Sequence, residues 1–557
     1  KAGMLEGRDI PLCQLYDAKI KIKQYKGQLS LSTKKPSGVV NALGLSHVLV
    51  SAPPRSYKGV SVLIPFLFRY KKSVFVTDYK GELYSQTAGF RKKFSRVILW
   101  APGSWDSAGF NFLMQIRPGA DAWDDALMLA TTHLAPKTEK EAGNEEHFRV
   151  NATTTLTGII LHVLCSNYQD KSMPGVMDWL TQADAGNDEN TGDKSVALWE
   201  EMINTEHSDP AIHKKIVAVA NAQLTRPSRE RGSVTSTILK ALLIYMDDRV
   251  RQNTTRNDFS YEDFIDCDTP ISLYMSISNA KIDQHDVLIK LFVTMFLRRM
   301  TDGETSYDNI RLKNELVFCL DECNSLGAFN FLQKAMAIVP GYGIRFLLVW
   351  QSFSQIEAVY GPNHQFMSLC KHIIIYAPGD FKTAEYFSKV IGKNDVWKES
   401  IGSSGNRYDI APSNLSSNGS LAEANIINPS ELMQMPFNQC LVFTQGQDPY
   451  LGKKIVSYDD ERYKNNIYSP KSNKKDLVPP KTFEEIQTEI APLRKLSNDM
   501  PWYALPLFTC LEKTEEIIIS EELIDPRLKM KKLAIEALNS EDTEKYDSSY
   551  KCLLAGI

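Results

Sequence analysis

The stretch 47–82, HVLVSAPPRSYKGVSVLIPFLFRYKKSVFVTDYKGE, narrows the fold more than any other part of the chain. A short apolar run (47–51) precedes a turn around Lys58, a segment of helical periodicity (58–70) and a second apolar run ending at Asp78. Strand, lysine-bearing loop, helix and strand, in that order, are the parts of a phosphate-binding α/β unit, whose loop amides and helix N-terminus wrap an anion. The loop pattern G-x-x-x-x-G-K-[ST] falls on Ala52, Pro53, Pro54, Arg55, Ser56, Tyr57, Lys58 and Gly59, and only the lysine matches. Before the lysine the backbone must approach phosphate closely, with torsions that cost little only for glycine. Tyr57 at that position predicts a distorted loop or weakened anion binding.

Further apolar runs lie at 72–78, 95–102, 271–278, 315–322, 344–352, 371–378 and 439–446, mostly separated by helix-length segments such as 381–391. That alternation indicates a mostly parallel sheet covered on both faces. Upstream, LYDAKIKIKQY and GQLSLS alternate apolar with polar residues, as half-buried strands do. From about 117 to 235 no strand-like run occurs and helical stretches dominate, which predicts an all-helical domain inserted into the α/β core. Residues 183–194 read as a polar loop and 398–426, rich in Ser, Asn and Gly, as a long surface loop. Helices are expected over 235–250, 286–300 and 325–339. Beyond 464 a Lys/Ser/Pro linker leads to a short, mostly helical tail. The expected organisation is therefore a first part of the core over 1–116 (loop 52–59), the insertion over 117–235, the second part over 236–463 and an extension over 464–557.

Composition removes several other classes. With 557 residues, 43% hydrophobic and 24% charged, the chain is long enough for two to four cores and is neither disordered nor membrane-spanning in character. A net charge of −3 gives no global signature of nucleic-acid binding, so any such contact must be local. The nine cysteines are scattered, with Cys319 and Cys323 the only close pair. That usage suits a reducing compartment and offers no zinc spacing.

A P-loop hydrolase needs a lysine on the β- and γ-phosphates, an acid at a strand end to hold the metal, and a polar group to place or activate water. Lys58 fits the first role. Asp321 and Glu322, directly after LVFCL, fit the others, and Gln351 ends the next apolar strand at the edge where open α/β sheets bind ligands. Arg226, Arg229, Arg231, Arg298 and Arg299 are candidates for an arginine finger, most of them expected to be solvated surface. Lys71, Lys72, Arg91, Lys92 and Lys93 form a small basic group that suits either a DNA backbone or a plain solvated face. His133, His147 and His162 fall in helical stretches and read as ordinary core or surface histidines.

With these residues in place, the chain resembles the type IV secretion coupling proteins, TraG/TraD-like relatives of the FtsK and HerA motor ATPases. The likeness rests on APPRSYKGV, VTDYKGELYSQTAGFRKK (76–93), FNFL (110–113), RERGSVTSTILKAL (229–242), the long segment 320–361, 377–393 and INPSELMQMP (427–436). It implies a RecA-like P-loop core with an inserted all-helical domain, ATP with Mg²⁺ as cofactors, and homo-hexamers at the cytoplasmic face of the bacterial inner membrane. It implies Lys58 as phosphate-binding lysine within a loop of Pro54, Arg55, Ser56, Tyr57, Lys58, Gly59 and Val60. Asp321 becomes the metal-holding acid, Glu322 the catalytic acid and Gln351 the γ-phosphate sensor; Asp78 and Lys80 match a second-strand motif of undefined role. The implied partners are secretion-channel ATPases and inner-membrane channel components, a relaxase–DNA complex or effector proteins, and an adaptor at the C-terminal extension. Most members carry one or two membrane helices ahead of the core. None lies in this sequence, which begins at Lys1 rather than Met and is expected to be a processed or trimmed chain. Two other functions remain open: a docking platform without turnover, favoured by Tyr57, and a DNA pump of the FtsK or HerA kind.

Overall fold

The computed structural model describes residues 11–16, 36–42, 44–135, 146–182, 194–266, 268–301, 311–404, 414–459 and 463. The expected strand GQLSLS, the loop 183–194 and the tail beyond 464 lie almost wholly or entirely outside the described residues. In chain order the strands are β1 (Pro11–Tyr16), β2 (Pro36–Asn41), β3 (Val48–Ser51), β4 (Ser73–Asp78), β5 (Arg96–Trp100), β6 (Ile271–Ser276) and β7 (Leu316–Leu320). They continue with β8 (Ile344–Trp350), β9 (His372–Ile375), β10 (Lys393–Ser404), β11 (Asn414–Asn425), β12 (Gln439–Thr444) and β13 (Tyr450–Lys453).

Two compact units share these strands. The first combines Lys1–Tyr70 with Leu347–Lys464 and the second contains Lys71–Phe346. In the first, the order is β2-β1-β13-β12-β9-β3-β8. Strand β3 runs parallel to both β8 and β9, whereas β12, β13, β1 and β2 extend the sheet antiparallel. Every residue of β3 and β8 is buried, as expected of apolar strands covered on both faces. Buried Ile375, Ala384, Phe387, Leu432 and Leu441 form part of the core on one side.

In the second unit β7, β4, β6 and β5 are all parallel. A cluster of Phe75, Trp100, Phe110, Phe259, Phe292 and Phe318 fills its centre, with ring centroids about 5–6 Å apart. The region after β5 is helical as expected, with helices over Ala122–His133, Glu146–Cys165, Met173–Thr181, Lys194–Asn204, Pro210–Leu224 and Ser228–Leu242. Helices begin where acceptors are available: Ser172 and Asp209 accept from the first-turn amides of their helices.

Three expectations are corrected. Residues 398–404 and 414–425 are strand rather than loop: β10 and β11 pair antiparallel from Lys393↔Asn425 to Ser404↔Asn414. Ladder hydrogen bonds are made by the backbone, so a Ser/Asn/Gly-rich segment with low strand propensity still pairs once a partner strand faces it. The helix expected over 235–250 is interrupted by a 3₁₀ turn at Leu243–Met246, and Asp247 caps a new helix over Asp248–Thr255. The helix expected over 325–339 shrinks to Asn330–Met336 between 3₁₀ turns.

Candidate functional site

In the first unit the loop leaves β3 at Ser51, and the Ala52 amide donates to the Trp350 carbonyl at 2.9 Å. Ser51 also lies in register with Trp350. Gln351, which follows Trp350, is therefore brought to the same carboxyl edge of the sheet as the loop. Its side-chain oxygen accepts from Gln355 Nε2 at 3.2 Å, while its amide donates to Gln355 Oε1 at 3.3 Å.

The loop does carry glycine-like torsions, but not through glycine. Tyr57 has φ 67° and Arg55 φ 60°. For a side chain with a Cβ this left-handed region costs roughly 1–2 kcal/mol. The Tyr57 ring, 45% exposed, meets Phe437 edge-on with centroids 4.9 Å apart and Tyr458 at 6.4 Å. The expected distortion is thus a left-handed tyrosine that stands where the general motif has glycine.

The helix after the loop starts irregularly, and its sequence explains why. Gly59–Leu63 is a π-turn that runs into the α-helix Ile64–Arg69, and the Ile64 amide reaches back to the Gly59 carbonyl. Pro65 has no N–H to give and its ring would crowd the carbonyl four residues earlier, so the widened turn relieves it. The Val60 carbonyl, left without a helical donor, accepts from the Ser457 amide at 3.0 Å. The Tyr57 carbonyl accepts from both the Ser61 amide, at 2.9 Å, and Ser61 Oγ, at 2.6 Å. The Ser56 carbonyl accepts from Lys454 Nζ at 3.1 Å.

This loop can hold a phosphate. Ser56 Oγ is buried and has no hydrogen-bond partner, and a Cβ built on Gly59 would meet nothing within 4 Å. An orphaned hydroxyl and open space beside a helix N-terminus are what an anion with its metal would fill.

In the second unit Asp321 and Glu322 stand directly after β7. Thr77 Oγ1, on β4, accepts from the Asp321 amide at 2.8 Å and donates to the Asp321 carbonyl at 3.2 Å. Asp321 Oδ1 accepts from the Glu322 amide at 3.0 Å. Glu322 has φ 53°, and its carbonyl accepts from the Ser325 amide at 2.8 Å. Tyr79, one residue beyond β4, has a buried hydroxyl without a partner. Burial, then the nearby Cys323, Asp321, Glu322 and Asp286, push that hydroxyl far above the ordinary tyrosine range.

Asp78 now has a structural role. Its Oδ2 accepts from the Tyr84 amide at 2.8 Å, at the start of the helix Glu82–Arg91. Burial raises its carboxyl, while the amides of Tyr84, Leu83, Lys80 and Gly81 pull it back.

The basic candidates separate. Arg91 is wholly buried, with Nε donating to Ser272 Oγ and one terminal nitrogen donating to the Lys72 carbonyl, both at 2.7 Å. It is an internal strut, neither a DNA contact nor a solvated face. Lys71 lies over Phe90 and Phe94 at 4.0 and 4.1 Å, and Lys72 pairs with Glu315 at 2.9 Å. Arg231 is buried and donates to the Gln223 and Arg226 carbonyls; Arg299 pairs with Glu262. Arg226 donates to Asn151 Oδ1 at 3.0 Å, and Arg229 is exposed. His133 is a core histidine bonded to the Tyr245 hydroxyl at 3.1 Å, and the side chain of His147 lies outside the described residues. His162 is linked to His207 and His207 to His213, at 2.9 and 2.8 Å, a chain that no sequence spacing announced. Burial holds His162 near a pKa of about 3 and His207 of about 4, so both are neutral at physiological pH. Sequence reasoning also missed Lys454, Phe437 and Tyr458, none of which belongs to a pattern that points to the loop. Among the described residues no helix is long and apolar enough to cross a membrane.

Known proteins of similar sequence and fold bear directly on this geometry. The family described as "Type IV secretory system Conjugative DNA transfer" matches residues 14–478. A conjugal transfer protein TraG of Escherichia coli is 31% identical over 466 residues, covering 79% of this chain and 72% of its own. VirD4 of Agrobacterium fabrum is 25% identical over 425 residues, covering 74% of this chain and 59% of its own. Another Escherichia coli TraG, at 33% identity over 407 residues, is spanned for 62% of its length. Among solved structures, the plasmid coupling protein TrwB in complex with ADP and Mg²⁺ superposes with a TM-score of 0.52 at 17% identity, over 74% of this chain and 85% of TrwB. The fold is therefore that of TrwB, a RecA-like α/β core with a mostly parallel sheet and a helical domain. The chain belongs to the type IV secretory system conjugative DNA transfer family of coupling proteins.

Proposed function

We propose that this protein is a coupling ATPase. It recruits a relaxase–DNA complex or effector proteins to a type IV secretion channel and uses ATP hydrolysis to drive or gate transfer. It works as a homo-hexamer at the cytoplasmic face of the bacterial inner membrane, against channel ATPases and inner-membrane channel components, with an adaptor on the extension beyond 464. The observation that carries the reading is Tyr57: at φ 67° the loop has the torsion of the missing glycine, which supports a functional phosphate loop despite its sequence. That TrwB has been solved with ADP and Mg²⁺ and with a non-hydrolysable ATP analogue supports ATP and Mg²⁺ as its cofactors.

Loop residues Pro54–Val60 bind the phosphates through their amides, and Lys58 offsets the charge on the β- and γ-phosphates. Asp321 would hold Mg²⁺, which when bound neutralises phosphate charge. Glu322 orients water and accepts its proton, and Gln351 senses the γ-phosphate. The rival platform without turnover draws on the same exposed Tyr57 ring beside the loop. Steady-state ATP turnover of the full chain with Mg²⁺, with and without DNA, decides between them. Glu322→Gln is expected to lower turnover by about 10²–10⁴-fold while leaving nucleotide binding in place. Absence of both binding and turnover in a folded preparation would reject the ATPase in favour of the platform.

A further inference from the structure

Among the described residues Lys454 is a buried cation without a counterion. It is 4% exposed, and among the described residues no carboxylate lies within ion-pairing distance of it. Burying a charge unpaired is costly, so its surroundings should offset that cost. They do so in part. Nζ lies over the Tyr376 ring at 3.8 Å and the Phe437 ring at 4.4 Å, and its one hydrogen bond goes to the Ser56 carbonyl at 3.1 Å.

That bond sets the direction of the loop. A trans peptide plane holds its C=O and N–H antiparallel. A Ser56 carbonyl turned inward to Lys454 therefore turns the Tyr57 N–H outward. Ser61 does the same for the next plane by taking the Tyr57 carbonyl. The same short segment reaches the loop twice more, through the Ser457 amide on the Val60 carbonyl and the Tyr458 ring beside Tyr57. Residues 454–458 thus form a strap along the phosphate loop, with a positive charge at its first residue.

We propose that Lys454 is a positioning residue of the phosphate loop: its ammonium holds the Ser56 carbonyl so that the loop amides face the nucleotide, and the phosphate charge completes the ammonium's unpaired environment. This rests on the nucleotide-binding reading above. It also makes binding proton-linked. Burial lowers the Lys454 pKa to about 8, with Cys440 opposing the shift. Tyr376, whose ring faces the ammonium, is pushed upward chiefly by burial and so is uncharged near neutral pH. The loop itself carries two further cations, Arg55 and Lys58. A bound polyphosphate favours the protonated amine, so binding takes up a proton above pH 8 and none near pH 7.

The test is ADP binding with Mg²⁺ by the full chain from pH 7 to 9.5, by calorimetry in buffers of different ionisation enthalpy, beside Lys454→Met and Lys58→Ala. Wild type is expected to bind with constant affinity near pH 7, to weaken above about pH 8, and to take up close to one proton at pH 9. Lys454→Met is expected to bind about 10–100-fold more weakly at pH 7, with that pH dependence gone. Wild-type affinity and the same pH profile in Lys454→Met would overturn the inference and leave the nucleotide reading standing. Should that variant not fold, a wild type that takes up no proton between pH 7 and 9.5 overturns it equally. A folded wild type that binds no ADP at any pH, like Lys58→Ala, overturns the nucleotide reading and this inference together.

Discussion

Tyr57 and Glu322 occupy the same unusual backbone region, at φ 67° and 53°, yet they are held there by different means. Glu322 is fixed through the backbone: its neighbour Asp321 is clamped on both N–H and C=O by Thr77, and Asp321 Oδ1 takes the Glu322 amide. Tyr57 is held through its carbonyl by the Ser61 amide and hydroxyl and, in addition, through its ring, which packs beside Phe437 and Tyr458. Backbone clamps are stiff and depend on one hydroxyl in the adjacent strand. Aromatic clamps are softer, spread over several residues, and leave the ring half exposed. On the proposed function, the acid assigned to activate water stands on the rigid mount and the loop assigned to admit nucleotide on the yielding one.

The largest expected effect comes from removing the rigid mount. Thr77→Val keeps the shape of the strand end but leaves the Asp321 amide and carbonyl without their partner. It should cost about 1–3 kcal/mol in chemical denaturation and reduce ATP turnover at least tenfold. Full turnover in that variant would erase the distinction between the two mounts. Next is the pair Tyr57→Ala and Tyr57→Gly. Alanine keeps the torsional strain and loses the ring contacts, whereas glycine loses both, so the glycine variant should be the more stable by about 1 kcal/mol. Equal stabilities would mean that the loop relaxes out of the left-handed region when the ring is gone. The smallest effect is expected from Phe437→Ala, about 0.5–1.5 kcal/mol from the lost edge contact, read as a lower melting temperature. A larger loss there than in Thr77→Val would reverse the order of the two mounts.

The same contrast explains what could be read from the chain. That Gln351 shares an edge with the loop around Lys58 was legible because each follows an apolar run and parallel β3 and β8 carry such ends to one edge; the position of Asp321 and Glu322 directly after β7 was legible from the apolar run LVFCL. The conformation of Tyr57 was not, since the residues packed against its ring lie about 380 to 400 positions away with no periodic signature. Arg91 failed for a related reason. In sequence it belongs to a basic run, FRKK, and only the placement of Ser272 and the Lys72 carbonyl shows that it is internal. The β10–β11 ribbon was missed because its pairing owes nothing to side-chain pattern.

Asp78 carries a lesson for any genetic screen of this protein. Its carboxylate is engaged with the amides that open the helix Glu82–Arg91, so its replacement damages the mount of a strand end two residues from Lys80. Colonies lacking transfer after such a change would look like chemical nulls. A melting curve, rather than a transfer assay, is what sorts them from the true ones.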